Sequence, residues 1–131
     1  MRTRTMLARV LAPVAGAVFA LGTTGAVAAT DLTVYTAIEA DDLKRYAEEF
    51  NKVHPDININ WVRDSTGIVT AKLLAEKENP QADIVWGLAA TSLMLLKSEG
   101  MTEPYTPQGA ELLDKKFLDS DDPMHWTGMD A

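Results

Sequence analysis

Apolar positions along this chain fall into two alternating periods, preceded by one long stretch without charge. Leu32-Thr33-Val34-Tyr35-Thr36 is β-branched and aromatic and predicts a strand. Leu43, Tyr46, Ala47, Phe50 and Val53 then recur at helical spacing behind an acidic start, Asp41-Asp42. Lys44, Arg45, Glu48, Glu49 and Lys52 fill the opposite side, and Pro55 stops this helix. Ile57 to Val62 begins as an apolar/polar alternation, the pattern of a half-buried strand, and Arg63-Asp64-Ser65-Thr66-Gly67 predicts a turn. A second helix is expected from Ile68 to Glu78, with Ala71, Leu74 and Ala75 on one side and Asn79-Pro80 at its end.

Ala82-Asp83-Ile84-Val85-Trp86-Gly87 predicts a short buried strand. Thr91 or Ser92 would cap a third helix through Lys97, closed by Gly100 in the left-handed conformation. After Gly100, Pro104, Pro107, Gly109 and Asp121-Asp122-Pro123 predict loop, with a short helix around Ala110 to Leu113. The order β-α-β-α-β-α implies a parallel sheet, right-handed crossovers and helices on both faces, an α/β fold.

The first segment changes the picture. Arg2, Arg4 and Arg9 form a positive start, Val10 to Val27 is uncharged, and Ala26-Val27-Ala28-Ala29 has the small residues of a cleavage site. Residues 1–28 therefore predict a secretory signal peptide cut after Ala28 or Ala29, and residues 29–131 an exported product. A membrane anchor is the other reading. Pro13, Gly16, Gly22 and Gly25 interrupt the apolar run, which is marginal against the about 20 residues of a spanning helix. Cleavage removes three of the 12 basic residues and none of the 19 acids, so the net charge moves from −7 to −10. Such a surface is a poor one for nucleic acid or an anionic membrane. With no cysteine, disulfides, thiolate metal sites and a lipid-modified N-terminus are excluded.

In an open parallel sheet, ligands sit beyond the carboxyl ends of the strands. Three turns fall there: Thr36-Ala37-Ile38-Glu39, Asp64-Ser65-Thr66-Gly67 and Trp86-Gly87-Leu88-Ala89-Ala90. In the second, Ser65 and Thr66 offer hydroxyls, Gly67 allows close approach, and the helix that follows offers unpaired N–H groups and a favourable dipole to an anion. Ser and Thr are equally ordinary helix caps. In the third, Gly87, Ala89 and Ala90 leave room for a ligand, and Trp86 either packs on it or belongs to the core. Glu39 either meets an ammonium group at the mouth or is simply the acidic start of a helix.

Catalysis finds little support. His54 and His125 have no nearby nucleophile with triad logic and no metal-ligand spacing, and Asp121-Asp122 sits in a loop where solvation is the ordinary state. A nucleotide P-loop is excluded on pattern. Neither an enzyme, a cofactor nor a metal is expected.

Residues 31 to about 130 nevertheless resemble the start of bacterial extracellular solute-binding proteins of ABC transporters. The matching stretches are "VYTA", "HPDI", "VRDSTG", "NPQADIVWG" and "EGMTEPY". "RDSTG" followed by "AKLLAEK" and "DIVWGLAATS" is most similar to the 2-aminoethylphosphonate-binding group, relatives of the ferric-ion binders. The resemblance implies a two-lobed periplasmic-binding-protein-like (type II) α/β fold, an anionic ligand held at helix N-termini, and delivery to an inner-membrane permease driven by an ATPase. By position, Ser65, Thr66 and Gly67 would cradle the phosphonate. Thr36, Ala37, Gly87, Ala89 and Ala90 would line the rest. A ferric-ion or other small-anion binder is the alternative within this class, an exported α/β enzyme or interaction domain the alternative outside it. Such proteins run to roughly 300 residues or more, as two lobes require. Residues 29–131 are therefore expected to form only the front of the first lobe, with the second lobe missing, and to bind ligand very weakly alone.

Overall fold

The computed structural model describes residues 29–128; the signal-peptide reading falls on residues outside them. Three parallel strands, β1 (Thr30–Thr36), β2 (Ile57–Arg63) and β3 (Ile84–Trp86), form a sheet in the order β2-β1-β3. The interleaved helices are α1 (Ala40–Val53), α2 (Thr66–Ala75) and α3 (Ala90–Ser98). Two short 3₁₀ turns follow, at Ala110–Leu112, where a short helix is expected, and at Lys115–Phe117, where none is. The α/β class with a parallel βαβαβ sheet is what the alternating periods predict.

Register makes the two faces of the sheet chemically different. Val34 is paired with Trp61 and with Ile84, and Tyr35 with Val62 and Val85. Side chains alternate across a strand, so Val34, Trp61 and Ile84 share one face with Leu32, Ile59 and Trp86. Tyr46, Ala47 and Phe50 of α1 meet that face. Tyr35 heads the opposite face and packs with Val69 and Leu73 of α2, Leu88, and Leu96 of α3. Val53, expected on the inner face of α1, is 73% exposed.

α2 starts two residues earlier and ends three earlier than its periodicity suggests. It also buries Val69, Thr70 and Leu73 where Ala71 and Ala75 were expected, and both alanines are exposed. Ile68, Val69, Ala71, Leu73, Leu74 and Ala75 are apolar all round the helix. A pattern with no polar face cannot select which side meets the sheet. α3 likewise begins at Ala90 with Ala89 at the N-cap, two residues before a Thr91 cap and three before a Ser92 cap. Its end is as expected. Gly100 has φ 68°, the Gly100 N–H donates to the Lys97 carbonyl (2.9 Å) and the Met101 N–H to that of Leu96 (3.0 Å). This is the Schellman arrangement, with Met101 folded onto the core.

The segment beyond Gly100 is fastened to α3 by charge. Lys97 Nζ lies 2.6 and 2.8 Å from the two carboxylate oxygens of Asp119 and 2.8 Å from Asp121. The backbone N–H of His125 donates to Asp119 Oδ2 (3.0 Å). Asp121, expected to be merely solvated, is thus a partner of Lys97, while Asp122 is exposed. Burial pushes the Asp119 carboxyl up. Lys97 and the N–H groups of His125 and Ser120 together outweigh it, and the net position is below the ordinary aspartate value.

Candidate functional site

Because all three strands are parallel, their carboxyl ends and the starts of all three helices lie along one edge of the sheet. β1 is central. Neighbouring strands are about 4.8 Å apart, so the exits of β2 and β3 are roughly 10 Å apart with the β1 exit between them. The chain steps from β1 to β2 on one side and then crosses to β3 on the other, so strand order reverses between β1 and β3. That reversal opens a crevice at the edge. A broad groove of about 1280 Å³ begins there, lined by Ile38, Gly87, Leu88, Ala89 and Ala90, and extends to Thr102 and His125. The first and third turns therefore share this groove. Ser65, Thr66 and Gly67 are not among its lining residues and sit on the β2 side of the edge.

The three helix starts are electrically unlike. α1 has Asp41 and Asp42 in its first turn, which satisfy its dipole from within the chain. α2 and α3 have no acid in the first turn, and neither has a side-chain cap. Ser65 occupies the N-cap of α2 in extended conformation, yet its hydroxyl makes no capping bond. The first amide to bond back into the helix is Val69 N–H, to the Ser65 carbonyl at 2.9 Å. In α3, Ser92 and Leu93 N–H both reach the Ala89 carbonyl, at 2.9 and 3.2 Å. The N–H groups of Thr66, Gly67 and Ile68, and those of Ala90 and Thr91, have no partner among the described residues. Ser65, Gly67, Ile68, Ala89, Ala90 and Thr91 are exposed residues, and Thr66 is half-buried. One acid is close by: Asp64 Oδ1 accepts the Ser65 N–H at 2.7 Å.

The other residues singled out in the sequence are placed differently. Thr36 is fully buried, and its Oγ1 accepts the Ile38 N–H at 3.1 Å, so it shapes the first turn from beneath. Ala37 packs against the core. Trp86 puts its ring under α1, stacked on Trp61 at 5.6 Å and edge-on to Tyr46 at 5.0 Å. Trp86 is half-buried and also lines the groove, so it meets α1 through its ring and the groove at the same time. Gly87 has φ 70°, and a Cβ there would fall 2.2 Å from Ile38 Cγ1. A side chain at position 87 would therefore be strained in its backbone and would have to displace Ile38 where the first and third turns meet. Glu39 is the N-cap residue of α1, and its carboxylate is held by Arg63 at 2.5 Å.

Arg63 is the residue that reading the turn alone misses. Its place at the last position of β2 was the available signal, since a strand's end lies beside its neighbours' exit turns. Its Nε donates to the Ile38 carbonyl at 2.6 Å while its terminal nitrogen holds Glu39. The histidines stand apart from this edge or at its far margin. His54 is the C-cap of α1 with its ring 4.8 Å from Phe50, and His125 Nδ1 sits 3.0 Å from the Thr102 carbonyl. Among the described residues, no three His, Asp or Glu side chains converge as a metal site would require.

Comparison with known proteins follows the same lines. The chain is 34% identical over 97 residues to a protein of Sinorhizobium fredii named as a probable ABC transporter periplasmic-binding protein, y4fP. The match takes in 74% of this chain and 26% of the relative. The chain thus spans about a quarter of that relative's length. The solved periplasmic binding protein AfuA of Actinobacillus pleuropneumoniae, with fructose-6-phosphate bound, superposes with a TM-score of 0.62 at 26% identity, over 67% of this chain and 27% of that one. The periplasmic binding protein P5PA superposes at 0.54 and 28% identity, over 66% and 30%. Iron-bound HitA of Pseudomonas aeruginosa, at 19% identity, shares the fold, with a TM-score of 0.63 over 70% and 29%. The model of the bacterial extracellular solute-binding proteins matches residues 36–122, more than half of the chain, and the chain belongs to that family.

Proposed function

We propose that the chain contributes to the periplasmic substrate-binding component of an ABC importer, delivering a small anionic ligand to an inner-membrane permease. We further propose that this ligand is a phosphonate of the 2-aminoethylphosphonate type. The observation that carries the reading is the pair of helix starts, α2 and α3, whose N–H groups are uncapped, unopposed by first-turn acids and exposed at one edge. An anion beyond the end of β1 has both within reach, because the β2 and β3 exits are roughly 10 Å apart. In this reading the Ser65 and Thr66 hydroxyls and the Gly67 backbone take the phosphonate oxygens. Ala89, Ala90 and Gly87 bound the other side, and Thr36 and Ala37 support the floor. Glu39 stands at the mouth, where the ligand's amine would lie.

The names of the relatives agree with such a role, and the bound sugar phosphate of AfuA is chemically close to a phosphonate. Binding and release without chemistry, rather than catalysis, is part of the proposal. Titrating the ¹⁵N-labelled chain with 2-aminoethylphosphonate, up to the solubility limit of the ligand, tests it even at very weak affinity. The amides of Thr66, Gly67, Ile68, Ala90 and Thr91 should shift together along one saturation curve. Unmoved amides at those five positions would reject the site.

A further inference from the structure

Arg63 is separated from Ser65 only by Asp64, yet its side chain leaves its own strand. It bridges to the exit turn of the neighbouring strand, donating to the Ile38 carbonyl at 2.6 Å and to Glu39 Oε2 at 2.5 Å. The Arg63 side chain is 37% exposed and that of Glu39 is 78% exposed. An ion pair this open contributes little to folding, because water screens it. Its consequence is electrostatic. The start of a helix carries about half a positive unit, whereas an unopposed guanidinium beside it would add a whole one. Arg63 ends β2 and α2 begins three residues later, so the guanidinium and the helix start stand at the same edge of the sheet, where salt screens their field. Coulomb attraction grows with ligand charge, so a bare Arg63 would favour the most highly charged anion available. Glu39 cancels that charge, and Asp64, bound to the Ser65 N–H, adds a further negative one. The three charged side chains at this side of the mouth then sum to one negative charge, and neutral N–H and O–H groups are left to hold the anion.

We infer that Arg63 and Glu39 form a specificity-determining pair. The pair fixes the Thr36–Glu39 turn and withholds the guanidinium from the ligand. The edge thereby takes an anion that carries its own ammonium in preference to plain inorganic phosphate. This rests on the reading that the start of α2 holds an anion, and the experiment separates the two.

The chain and its Glu39→Gln, Arg63→Met and Arg63→Lys variants are titrated by NMR with inorganic phosphate and with 2-aminoethylphosphonate, at low and at high salt. Glu39→Gln is a surface change of the same shape, so folding is retained. It should raise the affinity for phosphate severalfold and leave or lower that for the aminophosphonate. The preference would move toward phosphate by about tenfold at low salt and by little at high salt. Arg63→Met should weaken both ligands and displace the Ile38 and Glu39 amides. Arg63→Lys keeps the charge but cannot bridge a carbonyl and a carboxylate with one planar fork, so it should restore anion binding without restoring those amides. A purely structural role for Glu39 would change both ligands alike, regardless of salt. If the unaltered chain binds at Thr66–Ile68 and Glu39→Gln leaves the preference unchanged, the pair is not the determinant. If the unaltered chain shows no shift there with either ligand, the anion site itself is rejected.

Discussion

Gly87 and Ile38 touch across the point where strand order reverses: a Cβ on Gly87 would sit 2.2 Å from Ile38 Cγ1 and 2.5 Å from its Cδ1. The contact joins the exit turns of β1 and β3, the two turns that open the groove. Gly87→Ala therefore carries two penalties. One is a left-handed conformation for a residue with a side chain, and the other is displacement of Ile38. The expected loss is about 1–3 kcal/mol of unfolding free energy, read from the midpoint of a urea titration. Adding Ile38→Ala should return only the steric share, so a double variant as stable as the original would show that the backbone conformation is unstrained.

Ser65 separates capping from ligand binding. Because its hydroxyl caps nothing, Ser65→Ala should leave the urea midpoint nearly unchanged, where loss of a working cap would cost about 1 kcal/mol. Affinity for the aminophosphonate should nonetheless fall several-fold, as expected for loss of one hydrogen bond of about 1 kcal/mol. A clear loss of stability with intact affinity would return Ser65 to an ordinary cap.

Gly67 offers the opposite trade. No atom lies within 4 Å of where its Cβ would stand, and its φ is not in the left-handed region. Gly67→Ala should stabilise α2 by up to about 1 kcal/mol through helix propensity. The added methyl projects over the exposed N–H groups, so anion affinity should drop. A variant that is both more stable and equally tight would remove Gly67 from the site.

Tyr35 gives a pH signature. It is 2% exposed, and its hydroxyl donates to Glu76 Oε2 at 2.9 Å. Burial first, and then the bond to Glu76, raise the phenol above its ordinary value of 10.0. A raised value means that the folded state keeps the proton longer than the unfolded chain does. The contribution is thus whole below about pH 10 and is lost as pH climbs through the folded value. Tyr35→Phe should flatten that alkaline decline and lower stability at neutral pH by about 1 kcal/mol, both seen in urea midpoints across pH.

Lys97 and Asp119 give the acid counterpart. The depressed Asp119 value means that its contribution is present above the ordinary aspartate pKa and is lost as pH falls through the folded one. Lys97→Met leaves a buried carboxylate facing no cation and should loosen the segment from Met101 to Gly128. Limited proteolysis should cut that segment severalfold faster than in the unaltered chain, with α1 and the sheet unaffected. Lys97→Met combined with Asp119→Leu should recover much of the resistance, because no charge is then left buried.

What the sequence determined alone was local. The apolar/polar alternation of Ile57–Asn60, the one-sided helix Leu43–Phe50 and the left-handed stop at Gly100 are each decided by residues within a few positions of one another. Hence the element order and the parallel α/β class were legible, and so were the three turns at one edge. Which face of α2 is buried was not, because its apolar residues surround the helix and only the sheet beneath it selects Val69 and Leu73. Nor were the ring partners of Trp86, since Tyr46 and Trp61 come from two other elements. Tertiary structure alone placed Arg63 against Glu39, 24 residues away, and Lys97 against Asp119, 22 residues away. Charge pairs of that kind depend on which strand ends and loops become neighbours. The strand order β2-β1-β3 and the pairing of Arg63 with Thr36 set the first of these, and no spacing in the chain encodes them.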